Sequence, residues 1–212
     1  QGKNITIWTD VDGVFSADPR RVKGARCLSS ISYNEAWELA YFGANVLHPR
    51  TTLPAMKYNI PVTLRNYFNQ DAPGTSIGMT CPLPAGANNI GKYETRDANG
   101  DLVKGIATID DVCLINVEGT GMVGVPGTAN AVFKSVKEAG CNVVMISQAS
   151  SEHSICFAVR AHEADAAVNA LNKTFEKAIA AGRISRIHAL EDCSILAVVG
   201  QNMCQTPGVS AM

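Results

Sequence analysis

The strongest constraint on the fold of this chain is an internal repeat. A strand-like run at residues 113–118 leads into Gly119, and a second run at 194–199 leads into Gly200, 81 residues later. Each of these glycines is followed at the same offsets by a methionine, a proline and another glycine, which are Met122, Pro126 and Gly127 in the first copy and Met203, Pro207 and Gly208 in the second. Four identities behind two apolar strands predict a duplicated structural module.

The residues between the two copies alternate between strand and helix patterns. Apolar stripes at helical spacing predict helices over 128–139 and 163–181, with Gly140 and Gly182 as the glycines that end them. Apolar runs bounded by turn residues predict four strands, at 112–118, 142–149, 154–160 and 184–190. The order βαββαβ predicts an α+β (ferredoxin-like) sandwich, in which an antiparallel sheet packs on one side against two helices.

The N-terminal part of the chain has a different pattern. Strands are predicted over 4–11 and 60–65, and a short helix over 52–58. Ser32 and Glu35 form an S-x-x-E capping box, which predicts a helix from there to about residue 42. This mixture of strands and helices indicates an α/β region that precedes the repeated module.

The predicted domain organisation follows from these patterns. Residues 1–78 form one domain segment, and the Pro-, Gly- and Asn-rich stretch 79–103 forms a linker. Residues 104–191 form a complete module, and residues 192–212 form the start of a second one. The chain begins at Gln1 with a strand pattern and shows no targeting segment, so we expect it to be a piece of a longer protein.

Composition excludes several classes of function. The chain has 212 residues and a formal net charge of −1, so it lacks the basic surface that nucleic acid binding requires. No apolar stretch reaches the length of about 18 residues that a membrane span needs. The seven cysteines form no CxxC pair and the four histidines are scattered. We therefore expect reduced thiols and no metal site.

The glycine-rich loop 119–127 has a chemical rationale. A strand leads into the loop and a helix follows at once, so free N–H groups and a partial positive charge face the loop. That arrangement suits the carboxylate of a small acid or amino acid, although the glycines could also serve only to permit a tight turn. Gly119, Gly121 and Gly124 fit G-x-G-x-x-G, but a Pro-Gly step precedes the helix and no acidic residue about 20 positions on ends a parallel strand. This pattern therefore disfavours dinucleotide binding.

Several motifs resemble those of a known family. GTGMVGVPGTANAVF (119–133) and NVVMISQASSEHSICFAV (142–159) resemble the ACT regulatory domain of aspartokinases. WTDVDGVFSADPR (8–20), SYNEAWELAYFGANVLHPRT (32–51) and APGT (72–75) resemble the C-terminal part of the aspartokinase catalytic domain, of the amino-acid-kinase fold. The resemblance is strongest to bifunctional aspartokinase–homoserine dehydrogenases of plant type. It implies an enzyme that phosphorylates the β-carboxylate of aspartate with ATP and Mg²⁺.

The resemblance also implies a nucleotide site in the first segment. Thr9 and Asp10 would lie at the nucleotide, and Arg20 would reach the phosphates. Phe15 stands where many family members have a tyrosine that packs near the nucleotide. Asn45 stands where many have a lysine, which removes one positive charge, while Val46 would keep a backbone contact. Without the resemblance, Asp10 and Asp12 could be simple turn residues and Arg20 a solvated charge.

In the module, the resemblance implies a threonine-sensing effector site and association of the enzyme through paired ACT domains. Gln148 matches the glutamine tied to threonine sensing, and the residues expected to line the same pocket are Val125, Pro126, Gly127, Asn142, Val143 and Ile146. A monofunctional, lysine-sensitive aspartokinase remains an alternative, with Glu152 as the nearest carboxylate for the lysine ammonium group. A non-catalytic amino-acid-binding module remains another.

Parts of such an enzyme are expected to lie outside this sequence. The family's phosphate-gripping lysine segment and most of its aspartate site belong to the N-terminal part of the kinase domain, so we expect no catalytic residue here and no turnover by this chain alone. The homoserine dehydrogenase part, and with it NADP, would also lie elsewhere. A plant-type enzyme would reside in the plastid stroma, and any other type in the cytoplasm.

Overall fold

The structure is a computed structural model that describes residues 2–41, 47, 49–79, 103–148, 153–200 and 203. The chain divides into two compact units. Unit 1 comprises residues 1–108 and 196–212, and unit 2 comprises residues 109–195. The boundaries drawn from the sequence at 78, 103 and 191 stay predictions, and the predicted linker lies almost entirely outside the described residues.

Unit 1 contains a four-stranded mixed sheet and two helices. The strands are β1 (Ile5–Thr9), β2 (Ser30–Ser32), β3 (Val62–Asn66) and β4 (Thr75–Gly78), and the helices are α1 (Tyr33–Tyr41) and α2 (Pro49–Lys57). The sheet order is β1-β3-β4-β2. β1 runs parallel to β3 and β2 parallel to β4, whereas β3 and β4 are antiparallel. The predicted strands and helices of this region are found within a few residues of their expected bounds, but β2 and β4 were not predicted.

The capping box at the start of α1 is confirmed. The Ser32 backbone N–H donates to Glu35 Oε2 at 2.6 Å, and the Glu35 backbone N–H donates to Ser32 Oγ at 3.2 Å. Both residues are buried, so these two bonds satisfy N–H groups that a helix start would otherwise leave without partners. Ile31, Leu39 and Leu64 form part of the apolar core beneath.

Unit 2 has the predicted βαββαβ architecture. Its elements are β5 (Val103–Glu118), α3 (Thr128–Glu138), β6 (Met145–Gln148), β7 (Ser154–Arg160), α4 (Ala164–Thr174), α5 (Glu176–Ala180) and β8 (Arg186–Gly200). The sheet order is β6-β7-β5-β8, and β7 is antiparallel to both β5 and β6. The ferredoxin-like fold expected from the sequence is therefore confirmed. β5 and β8 also have residues in unit 1.

The core of unit 2 lies between the sheet and the helices. Alternate residues of β5 and β7 are fully buried against Val132 and Val136 of α3 and Leu171 of α4. Phe133 and Phe157 meet edge to face, with ring centroids 5.6 Å apart. Gly140 and Gly182 both adopt positive φ angles just after a helix, as predicted for glycines that end helices.

Three expectations for unit 2 were wrong in detail. The helix predicted over 163–181 breaks at Phe175 (φ −103°, ψ 12°), so α4 and α5 are separate. The strand predicted over 142–149 forms only from Met145 to Gln148. The strands predicted at 184–190 and 194–199 are one strand, β8, which continues through Asp192 although this residue takes a left-handed conformation (φ 55°).

The repeat has a counterpart in the backbone. Asp111 in β5 also has a φ of 55°, and it precedes Asp192 by the same 81 residues that separate Gly119 from Gly200. Left-handed aspartates inside strands are uncommon. The recurrence of one at the same position supports the reading of the repeat as a structural one.

Candidate nucleotide and effector sites

The predicted nucleotide site begins where β1 ends. Thr9 is the last residue of β1, and its hydroxyl donates to Asp10 Oδ1 at 3.1 Å. The Asp10 carboxylate is exposed. The Thr9 carbonyl accepts the Tyr67 N–H at 2.8 Å, which joins this end of β1 to the residue that follows β3. The structure therefore brings two predicted residues, Thr9 and Asp10, into direct contact at one edge of the sheet.

Asp12 fixes the turn that follows, a function that the sequence did not reveal. Its Oδ1 accepts hydrogen bonds from Asn66 Nδ2 at 2.8 Å and from Asn69 Nδ2 at 3.0 Å. Asn66 is 9% exposed and its own Oδ1 accepts the Phe68 N–H. One carboxylate oxygen therefore ties the turn after β1 to the loop after β3, although the sequence had suggested only a turn residue.

Thr75, in the APGT motif, holds the same turn from the other side. Its buried hydroxyl accepts the Val14 N–H at 2.8 Å and donates to the Leu28 carbonyl at 2.6 Å. Gly74, with a φ of +79°, passes so close to the Leu64 carbonyl that a Cβ atom would collide with it. The structure therefore accounts for two residues of the motif, because the glycine permits the close approach of the backbone and the threonine satisfies two buried backbone groups.

Phe15 and Arg20 lie farther along the turn. Phe15 is half-buried, and its backbone forms an isolated antiparallel β-bridge with that of Cys27. Arg20 is exposed, and its Nε and Nη2 donate to Oδ1 and Oδ2 of Asp18 at 3.0 and 2.9 Å. This hydrogen-bonded guanidinium lowers the pKa of Asp18. Arg20 is thus positioned by a carboxylate neighbour, and the predicted residues Asn45 and Val46 lie outside the described part of the chain.

In unit 2, the glycine-rich loop combines two uses of glycine. A Cβ atom on Gly119 or Gly121 would lie 2.7 Å from Cα of Ile184 or Arg183, respectively, so these two glycines permit close packing against the segment before β8. Gly124 and Gly127 have positive φ angles, and nothing lies within 4 Å of the places a Cβ would take. Gly119 and Gly121 therefore serve the packing of the loop, whereas Gly124 and Gly127 border open space.

That open space is a cavity of about 340 Å³ at the N-terminus of α3. It is lined by Met122, Gly124, Val125, Pro126, Gly127, Thr128, Ala129 and Ile155. Three of the predicted effector residues, Val125, Pro126 and Gly127, are among them. Ala129 also lines this cavity, and Ile155 was missed because it lies on β7, far along the chain. The cavity presents apolar walls and the free N–H groups of a helix start.

The other predicted effector residues are placed differently. The Asn142 N–H donates to Glu163 Oε2 at 3.2 Å. Val143 packs on the core of unit 2, and Ile146 is 55% exposed on β6. None of these three is among the described residues that line the cavity beside α3, and a single effector pocket shared by all the predicted residues stays a prediction. Gln148 ends β6, opposite Ile155 of β7, and its side chain lies outside the described part.

Five cysteines lie in the described ranges, and none of these five has a disulfide partner. Cys113 is buried in β5, Cys141, Cys156 and Cys193 are half-buried, and Cys27 is exposed. Burial raises the pKa of the Cys113 and Cys156 thiols. Within the described ranges no group of His, Cys, Asp and Glu could hold a metal ion, and no helix is long and apolar enough to cross a membrane.

Comparison with known proteins matches each part of the chain. Residues 1–66 match the amino acid kinase family, and residues 115–175 match the ACT domain. Over its whole length the chain is 58% identical to a chloroplastic bifunctional aspartokinase/homoserine dehydrogenase 1 from Zea mays, of which it covers 22%. The chain thus spans about a fifth of the length of such relatives.

Solved structures agree with this match. The aspartate kinase of Clostridium acetobutylicum superposes on 99% of the chain with a TM-score of 0.76 at 24% identity, which covers 44% of that protein. The E. coli aspartokinase III in complex with lysine and aspartate covers 95% of the chain with a TM-score of 0.68 at 26% identity, over 40% of its own length. Fold and family matches together define an amino-acid-kinase segment followed by an ACT domain. Along its whole length the chain is similar to part of the bifunctional aspartokinases.

Proposed function

We propose that the protein is an aspartate kinase, which transfers a phosphoryl group from ATP to the β-carboxylate of L-aspartate and forms 4-phospho-L-aspartate. The observation that supports this most is the 58% identity with a bifunctional aspartokinase/homoserine dehydrogenase along the whole chain. The aligned length includes the turn after β1. There Thr9 presents a hydroxyl, Asp10 a carboxylate and Arg20 a guanidinium.

In this proposal unit 1 supplies part of the nucleotide site. Phosphoryl transfer is catalysed mainly by positioning and by neutralising charge. Arg20 offers a planar fork of donors that suits phosphate oxygens, and the Thr9–Asp10 pair offers the oxygen ligands that Mg²⁺ prefers. The groups that hold aspartate and complete the catalysis are assigned to the N-terminal part of the kinase domain.

We further propose that unit 2 senses an amino acid, with L-threonine as the effector. The cavity beside α3 offers helix N–H groups for a carboxylate and apolar walls for a small side chain. Among the described residues, which do not include Glu152, no acidic side chain lines the cavity, whereas a lysine ammonium would require one. Lysine remains the second candidate, because the E. coli relative with a TM-score of 0.68 carries lysine.

Further parts of the proposal depend on the relatives. Similarity to bifunctional enzymes supports a homoserine dehydrogenase part that uses NADP, and the chloroplastic relatives support the plastid stroma. Association of subunits through ACT domains is part of the same proposal. The mass and subunit number of the natural protein, together with NADP-dependent oxidation of homoserine, test these points directly.

The decisive experiment measures aspartate-dependent ADP formation by the full-length protein, with threonine or lysine added. We expect threonine to inhibit, and Gln148→Ala to weaken that inhibition by about tenfold, as the loss of one or two buried hydrogen bonds would. Turnover without threonine should stay near normal. Ser147→Ala, one position earlier on β6, is the matched control. Unchanged inhibition of the Gln148 variant, or inhibition by lysine alone, would contradict the threonine assignment.

A further inference from the structure

A buried ion pair joins the start of β5 to the N-terminus of α1 in unit 1. Lys104 Nζ lies 3.2 Å from Glu35 Oε1 and 3.4 Å from Oε2, and the two side chains are 0% and 3% exposed. Glu35 is also the residue that accepts the Ser32 N–H in the capping box. A buried charge is stable only when it is compensated, so the pair fixes the position of β5 relative to α1.

Other contacts hold the same stretch of β5, residues 103–108, within unit 1. The Ile106 N–H donates to the Ser16 carbonyl at 2.8 Å. Gly105 lies so close to α1 that a Cβ atom would come within 2.8 Å of Leu39 Cδ2. The stretch therefore contacts two separate elements of the unit, the turn after β1 and the helix α1.

Both of these elements are close in the chain to residues of the predicted nucleotide site. Ser16 directly follows Phe15, and α1 ends at Tyr41, four residues before Asn45. β5 itself continues to Glu118, after which the glycine-rich loop of the predicted effector site begins at Gly119. One strand thus contacts the surroundings of the predicted nucleotide site at its start and leads into the predicted effector loop at its end.

We propose that Lys104 is a positioning residue for the nucleotide site, and that residues 103–108 form a strut through which the effector changes the affinity for nucleotide. The proposal rests on the function proposed above. Lys104 acts through Glu35 and α1, and it does not touch the substrate. A displacement of β5 on effector binding would move the anchor of α1, because the buried pair cannot be stretched without leaving charges uncompensated.

The test uses the full-length protein and isosteric neutral variants. Lys104→Met and Glu35→Gln each remove one charge of the buried pair and leave the other, whereas the double variant removes both, and glutamine at 35 can still accept the Ser32 N–H. We therefore expect lowered thermal stability in the single variants and recovery in the double variant. Lys134→Met removes a lysine from an exposed ion pair with Glu138 and serves as the matched control.

In the double variant we expect the KM for ATP to rise at least fivefold, with kcat within twofold and the KM for aspartate unchanged. We also expect at least a fivefold higher threonine concentration for half-inhibition. If the pair served only stability, the double variant would have the wild-type KM for ATP and the wild-type threonine inhibition once its stability recovers. That result would overturn the proposal. An effect on KM with unchanged inhibition would overturn the strut.

Hydrogen exchange on the wild-type protein tests the proposal without any variant. Saturating threonine should change the exchange rate of the Ile106 amide, which donates to Ser16, at least threefold. An unchanged rate in a protein that threonine inhibits would overturn the strut. If the wild-type protein shows no aspartate-dependent ADP formation, the proposed function fails instead. Titration with MgADP then tests the role of Lys104 separately. We expect MgADP to bind the double variant at least fivefold more weakly than the wild-type protein, and equal affinities would overturn the positioning role of Lys104.

Discussion

The two candidate sites are stabilised in different ways. Around the turn after β1, side chains satisfy backbone and amide groups across loops, as Thr75 and Asp12 do. The loop before α3 depends instead on the absence of side chains, because Gly119 and Gly121 pack directly against backbone. The first region should therefore be sensitive to the loss of polar atoms, and the second to the addition of volume.

The largest expected effect is the addition of one methyl group to the loop of unit 2. In Gly119→Ala the new Cβ would meet the Arg183 carbonyl and lie 2.7 Å from Ile184 Cα. Backbone atoms cannot rotate away, so we expect the free energy of unfolding to fall by about 2–4 kcal/mol. Denaturant unfolding measures the change, and hydrogen exchange in β7 assigns it to unit 2.

Gly124→Ala is the matched control in the same loop. Its φ of +67° strains any other residue, but nothing lies within 4 Å of its Cβ position, so about 1 kcal/mol is expected. Equal losses for the two variants would show that backbone conformation, rather than volume, limits this loop.

The next effect is the loss of one hydroxyl in unit 1. Thr75→Val keeps the shape of the side chain but leaves the buried Val14 N–H and the Leu28 carbonyl without this partner. We expect a loss of about 2–3 kcal/mol in the free energy of unfolding. Thr128→Val in unit 2 removes an exposed bond to the Val125 carbonyl and should cost at most about 0.5 kcal/mol. A comparable cost for both would erase the contrast between the regions.

A smaller effect is expected at Asp12. Asp12→Ala removes the acceptor of two asparagine side chains, of which Asn69 is exposed. We expect about 1–2 kcal/mol of destabilisation, with weaker binding of MgATP because the turn after β1 loses its tie to the loop after β3. Asn69→Ala, which removes only the exposed donor, should cost less than about 0.5 kcal/mol. Calorimetric titration measures the affinity for MgATP, and an unchanged affinity in Asp12→Ala would contradict the role of Asp12.

The smallest effect concerns pH. The pKa of Asp18 lies below its ordinary value of 3.8 because Arg20 donates to the carboxylate. The pair therefore stabilises the fold above pH 3.8, and this contribution is lost as the pH falls through the lowered pKa. In Arg20→Gln the pKa of Asp18 should return toward 3.8, which NMR titration of the carboxyl carbon measures. Because both groups are exposed, little change in stability is expected at neutral pH.

Local signals in the sequence predicted much of the fold. The capping box at Ser32 and Glu35, the glycine after α3 and the bounds of β7 were all found as expected. Each depends on residues close together in the chain. β8 was predicted as two strands because a left-handed aspartate inside a strand is indistinguishable from a turn residue in a single sequence.

The candidate sites were predicted less completely because they depend on distant residues. Asn66 is far from Asp12 in the chain, and Ile155 is far from Val125, so no local pattern joins them. The resemblance supplied Thr9, Asp10 and the cavity residues Val125 to Gly127. It also supplied Asn142, whose N–H donates to Glu163 and whose part in effector binding stays a prediction.

The division of the chain has a consequence for the order of folding. Unit 2 is one continuous stretch, whereas unit 1 needs residues on both sides of it, and Val199 from the far side is buried in the core of unit 1. Closing a long flexible loop costs entropy. If unit 2 folds first, that loop is already compact and its ends are held in one sheet. During synthesis on the ribosome, unit 2 is complete before the last residues of unit 1 emerge. Unit 2 would therefore fold before the core of unit 1 is complete.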